Sequence, residues 1–315
     1  MPELPEVQTV VDTLRPRLLG RQILSVTTLR PDIVDPSGFD IAARLTGRYV
    51  ADLTRRGKRI VFTLDDGNRL YIHLGMTGRL TIEPADAPVV KHTHLIMLLG
   101  ERTEGRMRND ECRIKTQRAG NEPITRLPHS SFIDHRSSFP LSLRFRDPRR
   151  FGGVFWLGTH SPAGDMGPEP LTMRPAELAG CLARTTRAIK NVLLDQTVIA
   201  GIGNIYADES LFLAEIHPLA PANELPDDQI KQLNRAIKLT LRRALRHRGS
   251  TLRDYVDSDG VKGGYQKHHR VYDRAGEPCR SCKTPIERIV IGGRSTHFCP
   301  TCQPPATKRS SVSET

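Results

Sequence analysis

Cys279-Arg280-Ser281-Cys282 and Cys299-Pro300-Thr301-Cys302 are two CxxC pairs separated by sixteen residues. Each pair presents two thiolates from one turn, and two such turns close a tetrahedron around a single ion, the spacing of a four-cysteine zinc ribbon. Four thiolates leave no open coordination position, so the predicted Zn2+ is structural. His297 is an alternative ligand or a packed side chain. Between the pairs, Gly292-Gly293-Arg294-Ser295-Thr296 is flanked by β-type runs and reads as a hairpin turn. Arg294 at that turn is placed either for a phosphate or groove, or as an ordinary exposed residue.

The other cysteines, Cys112 and Cys181, are isolated. No apolar run is long enough to cross a membrane, and the acidic N-terminus lacks the pattern of a signal peptide. A cytoplasmic location is therefore expected, where paired CxxC motifs bind metal rather than form disulfides. With 47 Lys+Arg against 35 Asp+Glu, the 315-residue chain carries a net charge of +12. Such an excess suits a polyanionic partner, above all nucleic acid.

Upstream of the ribbon, helical periodicity rules. Leu178, Leu182, Ile189, Val192 and Leu193 suit one helix, residues 205–213 a second, and Ile230, Leu233, Ile237, Leu241 and Leu245 a third. Asp227 and Asp228 begin the third, while Arg242, Arg243, Arg246 and Arg248 lie near its end, an order that complements the helix dipole and is also compatible with a phosphate-facing patch. Ala200-Gly201-Ile202-Gly203-Asn204-Ile205-Tyr206 opens the second helix. Its N–H groups fit a phosphodiester; alternatively it is a tight turn capped by Asn204. Residues 258–266 are Gly-rich and polar, as a mobile loop would be.

The N-terminal half is different. Short β-type runs at 22–29, 48–54, 59–64, 70–73, 79–82, 94–99, 141–145 and 154–157 predict a sandwich or barrel. Residues 100–140 have no clear period and read as a long basic surface insertion. Asp147-Pro148-Arg149-Arg150-Phe151-Gly152 sets cations beside an aromatic at a sharp turn, either a wedge into a base stack or a β-turn with Phe151 in the core. His73-Leu74-Gly75-Met76-Thr77-Gly78 is a second turn, with Met76 as wedge or core filler. Lys58 could meet phosphate from the start of a strand.

Met1-Pro2-Glu3-Leu4-Pro5-Glu6 precedes Val7, Val10, Val11, Leu14 and Leu18 at helical spacing. Pro5 suits a first helical turn. Loss of Met1 would leave Pro2 with a free secondary amine at the positive end of a helix, where its pKa should fall. Such an amine forms a cationic iminium with an aldehyde carbon. Glu3 and Glu6 lie within a turn of it. The same six residues also read as a capped helix start.

Taken together, these motifs, with Lys91-His92-Thr93-His94 and Gly276-Glu277-Pro278-Cys279, resemble the formamidopyrimidine-DNA glycosylases, bacterial DNA-repair enzymes that remove oxidised purines such as 8-oxoguanine. The resemblance runs from Pro2 to about Gln303 and implies an α+β multidomain fold. Residues 1–157 would form an N-terminal β-sandwich with an N-terminal helix. A linker at 158–175 would follow, then a helix-two-turn-helix domain at 176–262, a lesion-side loop and zinc finger at 263–303, and a disordered tail at 304–315.

The resemblance also implies roles. Pro2 would be the nucleophile, Glu3 the acid/base and Glu6 an organiser of the site. Lys58, Asn204 and Arg294 would hold phosphates around an extruded nucleotide, with Lys190, His73 and His92 as lesser contacts. Met76, Arg149 and Phe151 would fill the hole left by the flipped base, and the Gly-rich loop would close over the lesion. The partner would be damaged double-stranded DNA in the nucleoid, bound by a monomer with one Zn2+. The insertion and the run Lys267-His268-His269 depart from the family pattern. An endonuclease VIII relative is disfavoured by Leu4, where that branch tends to have glycine, and by the cysteine ribbon. A non-catalytic DNA-binding protein would not require Pro2, Glu3 and Lys58, and an RNA-binding ribbon protein should be richer in aromatics than 5%.

Overall fold

The apolar spacing after Glu3 forms α1 (Leu4–Leu18), with Pro5 in its first turn. Its residues divide between two cores. Val7, Val10, Val11, Leu14 and Leu18 pack into the N-terminal core, whereas Leu4, one turn earlier, is buried in the core of the helical half. A computed structural model describes residues 1–102, 140–252 and 255–305. Most of the expected insertion and tail, together with Cys112, lie outside these residues.

Two antiparallel-rich sheets build the N-terminal half. One has the order β1 (Arg21–Thr28), β7 (Thr93–Arg102), β8 (Leu141–Arg146), β6 (Arg79–Pro84). The other runs β2 (Val34–Asp35), β9 (Gly153–Gly158), β5 (Arg69–His73), β4 (Arg59–Leu64), β3 (Val50–Arg56). Ile23, Leu80, Met97 and Phe145 of the first sheet share one core with Leu53, Phe62, Ile72 and Val154 of the second, which makes the pair a sandwich. Each β-type run of the sequence becomes a strand. The short elements β2 and α2 (Ile41–Leu45) have no counterpart among the sequence patterns, being too brief to establish a period.

The helical half contains α3 (Pro175–Leu182), α4 (Ile189–Leu194), α5 (Asn204–Leu213) and α6 (Asp227–Arg246). The single helix expected through Leu178 and Leu193 is thus two. Thr185 takes the Arg187 N–H on its Oγ1 at 3.2 Å, and the Arg187 carbonyl accepts from Ala222 N at 3.0 Å. A hydroxyl that offers the backbone a local partner competes with the helical ladder, and here it ends it. Leu211, Leu233, Ile237 and Leu241 close the core of this half. The cysteine region folds as a hairpin, β10 (Glu287–Ile291) and β11 (Arg294–Phe298), with Ile291 opposite Arg294. The stretch 258–266, expected as a mobile loop, takes a defined turn around Asp257, whose Oδ1 accepts from Asp259 N and Val261 N at 2.9 Å each.

Because Leu4 is fully buried in the helical core while its helix belongs to the sandwich, Leu4→Ala should lower the unfolding free energy by about 2–5 kcal/mol. Urea denaturation measures this. A loss under about 1 kcal/mol would mean that the two cores are not joined through this side chain.

Candidate active site and nucleic-acid interface

The start of α1 meets the start of α5. Leu4 N donates to Gly201 O at 3.0 Å, and the Glu3 carboxylate accepts from Gly203 N at 2.7 Å and Ile205 N at 2.9 Å. The first N–H groups of a helix lack internal partners, so Glu3 caps α5 from the other half of the molecule. This corrects the expectation that Asn204 caps its own turn. Gly203 has to be glycine: a Cβ there would lie 2.4 Å from Glu3 Cδ.

Glu6 is buried deeper in the same junction. Its Oε2 accepts from Glu3 N at 2.8 Å, and its Oε1 accepts from Tyr206 Oη at 2.5 Å and Ser250 N at 2.7 Å. Burial, and then the charge of Glu3, push the Glu6 carboxyl up to about 7. The Tyr206 phenol is held well above its ordinary value by burial and by both carboxylates, so it stays a donor. No sequence motif singles out the roles of Tyr206 and Ser250. Their contacts join residues some 200 and 244 positions apart, and no local spacing reports that.

Beside this junction lies a cleft of about 330 Å³ whose walls include Met1, Pro2, Glu6, Met76, Arg149 and Tyr272. Pro2 is buried and Met1 is 52% exposed. Phe151 is 56% exposed, not in the core, and the Arg149 guanidinium lies 4.8 Å from its ring centroid. Asp147 shapes this turn by accepting from Thr77 Oγ1 at 2.5 Å, Arg149 N at 3.3 Å and Gly152 N at 2.8 Å. A Cβ on Gly75 would sit 2.5 Å from Gly152 N, so the two turns carrying Met76 and Phe151 are in backbone contact.

Lys58 follows Gly57, whose φ is +56°, in the turn between β3 and β4. Glu169 holds that turn: it accepts from Gly57 N at 2.7 Å and pairs with Arg55 at 2.7 Å and Arg56 at 2.8 Å. Lys58 is 6% exposed; among the described residues its ammonium makes no hydrogen bond but is not sealed off, so it keeps contact with solvent. Burial lowers its pKa, which the charges of Glu3 and Glu6 oppose and that of Arg294 reinforces. His73 is also lowered, first by burial and then by Lys58 and Arg59; its Nδ1 accepts from Gly75 N at 3.2 Å. His92 contributes its backbone, its carbonyl accepting from Asp147 N at 3.0 Å.

Asn204 donates from Nδ2 to Ser295 O at 2.9 Å, which ties α5 to the hairpin carrying Arg294. Lys190 requires a correction. It is fully buried, donates to Asn204 O at 3.1 Å and pairs with Asp208, so it supports α5 from within and offers no cation to a surface phosphate. The other Asp208 oxygen accepts from His297 N at 2.9 Å and contacts Nδ1 at 3.2 Å, so His297 packs here and is not a metal ligand.

The sulfurs of Cys279, Cys282, Cys299 and Cys302 lie within 4.8 Å of one another. Two of the separations are 3.9 and 3.4 Å. Zn–S bonds of about 2.3 Å at tetrahedral angles put sulfurs about 3.8 Å apart, so the set fits one structural zinc. Ser281 N and Cys302 N donate to Cys279 Sγ and Cys299 Sγ at 3.4 and 3.5 Å, as suits metal thiolates.

Sequence models of the formamidopyrimidine-DNA glycosylase N-terminal domain, of its H2TH domain, and of a zinc finger found in FPG and IleRS match residues 1–115, 166–256 and 276–305. A formamidopyrimidine-DNA glycosylase of Chloroflexus aggregans is 43% identical, covering 96% of this chain and 98% of its own length. The chain belongs to the formamidopyrimidine-DNA glycosylase family. Its described residues carry the fold of a DNA-repair glycosylase. A Lactococcus lactis FPG variant in complex with a Fapy-dG containing DNA matches with a TM-score of 0.79 and 32% identity over 96% of this chain and all of that one. The MutM (FPG) protein of Thermus thermophilus matches with a TM-score of 0.75 and 36% identity over 97% of this chain and 100% of that one. Among the described residues no helix is long and apolar enough to cross a membrane.

Two outcomes follow from this geometry. Between its unfolded value of 4.5 and about 7, Glu6 keeps a proton in the folded protein that the unfolded chain has lost. Its contribution is therefore fully present at low pH and is lost as pH rises through about 7. Wild-type thermal stability should fall more steeply from about pH 5 to about pH 8 than that of Glu6→Gln, which cannot ionise. Equal slopes would contradict the raised value. Zinc removal is the second test. Among the described residues the finger's apolar cluster is small, Cys279, Ile286 and Cys299 packed with Val271 and with Phe212 of α5. Chelation should make 276–305 protease-sensitive and abolish lesion-DNA affinity, and added Zn2+ should restore both.

Proposed function

We propose that this chain is a bifunctional glycosylase/AP lyase that removes oxidised purines, 8-oxoguanine and formamidopyrimidines, from duplex DNA by using the Pro2 amine. The observation that carries the reading is Lys58. Lys58 is a largely buried cation whose ammonium keeps contact with solvent, and it feels the charges of the carboxylates beside Pro2 and of Arg294 of the finger. An anion entering from outside would complete it, and a DNA phosphate flanking an extruded nucleotide has the required charge. Asn204 and Arg294 would hold the same backbone, with His73 and His92 as lesser contacts.

The chemistry is as follows. A base inside a duplex cannot be attacked, so it is extruded at a cost of a few kcal/mol, less for a damaged base. Met76, Arg149 and Phe151 offset the rest by filling the vacated stack. The Pro2 nitrogen lone pair attacks the sugar C1′, the glycosidic bond breaks, and the base leaves with the proton that the attacking amine loses. Glu3 protonates the ring oxygen as the C1′–O4′ bond opens, which gives the iminium. That cation acidifies C2′; loss of its proton expels the 3′ phosphate, and a second elimination expels the 5′ phosphate. Water then hydrolyses the iminium, which frees the Pro2 amine and releases the sugar remnant as an unsaturated aldehyde, and a one-nucleotide gap remains. Glu6 organises the junction, the turn at 258–266 closes over the lesion, and the enzyme acts as a monomer in the cytoplasm.

Removal of Met1 is a requirement of this reading. Protein that retains Met1 or a longer N-terminal tag should lose base excision and strand cleavage by at least about a thousandfold while its lesion-duplex affinity changes by less than about tenfold. Comparable cleavage by tagged and clipped protein would exclude Pro2. The oxidised-purine assignment is tested separately: excision of 8-oxoguanine opposite cytosine should be faster than that of thymine glycol, and the reverse order would place the chain with pyrimidine-directed enzymes.

A further inference from the structure

A second cavity, of about 420 Å³, opens between α5, the end of α6 and the segment entering the finger. It shares no lining residue with the Pro2 cleft: Ile205 in the first turn of α5 faces that cleft, whereas Glu209 and Leu213 farther along line this one. Arg243 and Arg246 reach it from α6, and Arg270 and Arg280 from the other segment. Among the described residues none of the four forms an ion pair; Arg280 donates only to the Lys267 carbonyl, at 3.3 Å.

The one carboxylate in the wall does not neutralise them. Glu209 is buried, and its oxygens accept from the N–H groups of Arg270, Val271 and Tyr272 at 2.9 Å. The dipole of α6 favours Arg243 and Arg246 at its C-terminal end. It offers no such reason for Arg270 and Arg280, which come from elsewhere in the chain. Four unpaired guanidinium groups around one recess are mutually repulsive unless an anion joins them.

The cavity also has an aromatic side. The His247 and His268 rings lie against each other at a tilt of 32°, with centroids 4.1 Å apart, and the Tyr265 ring is 6.2 and 6.1 Å from them. His268 belongs to the Lys267-His268-His269 run that the glycosylase reading leaves without a part.

We propose that this cavity is a binding site for a nucleoside di- or triphosphate. Guanidinium forks bind phosphate oxygens bidentately, and four of them match an oligophosphate better than a single phosphate. The His247–His268 pair supplies a face on which a planar base can lie. The volume falls in the range of small-molecule sites, about 300–1,000 Å³. A duplex backbone, which presents a convex row of phosphates, does not match so compact a recess.

Calorimetric titration of the full-length, zinc-loaded protein tests this with ATP, pyrophosphate and adenosine, with and without saturating undamaged duplex. ATP should bind once per chain in both conditions, pyrophosphate several-fold more weakly, and adenosine not detectably. Arg243→Ala combined with Arg246→Ala should weaken ATP binding at least about tenfold, with Tm and lesion-duplex affinity little changed, whereas Lys58→Ala should leave ATP binding intact. If the double variant is destabilised, Arg280→Ala, on the exposed segment, carries the same test. Displacement of ATP by duplex, unchanged ATP affinity in both arginine variants, or loss of duplex affinity in them without ATP binding to the wild type would each overturn the proposal, the last by assigning these arginines to DNA.

Discussion

The carboxylates in the first turn of α1 are held by backbone N–H groups of the other half of the molecule, Glu3 by Gly203 and Ile205 and Glu6 by Ser250. Everything near Pro2 depends on these bonds. They fix where the N-terminus lies, because the pair of N–H donors at the start of α5 can meet the Glu3 carboxylate in one position only. They also join the sandwich to the helical half, with Leu4 buried just behind them in the helical core. The glycines opposite the carboxylates keep the approach open: a Cβ on Gly203 or Gly249 would overlap Glu3 or Glu6 at 2.4 or 2.5 Å.

A second chain of contacts brings the finger to the same place. Asp208 accepts from His297 of β11 and pairs with Lys190, and Asn204 donates to Ser295, so the hairpin bearing Arg294 is anchored on α5. From the sandwich side, Glu169 draws Gly57 and its neighbouring arginines together and so places Lys58. Lys58 of the sandwich and Arg294 of the finger therefore come close enough for their charges to act on each other, near a junction that neither half forms alone, and the zinc cluster is part of that construction although it is remote in sequence.

Much of this is legible in the sequence because its signals are local. The CxxC spacing reports the ribbon, strand periodicity the sandwich, and the apolar positions of α1 and α6 their buried faces. The motif around Asp147 exposes a wedge-like turn, although only the structure shows Phe151 in solvent with Arg149 over its ring. What the sequence hides is non-local. Lys190 reads as a free cation until Asp208 is found beside it, and Asn204 reads as a cap until Glu3 arrives from two hundred residues away to take that part. The break between α3 and α4 depends on a carbonyl pairing with Ala222, which helical period does not report.

The central claim is that the Pro2 nitrogen bonds covalently to the sugar of lesion DNA. Borohydride reduces an iminium to a stable amine, so the most direct measurement is to add it while the Met1-free protein acts on an 8-oxoguanine duplex and to map any adduct by mass spectrometry. The account predicts one DNA-linked product with the modification on Pro2 and none with Pro2→Gly blocked by an N-terminal acetyl group. Absence of an adduct with the clipped protein, or an adduct on Lys58, would contradict it.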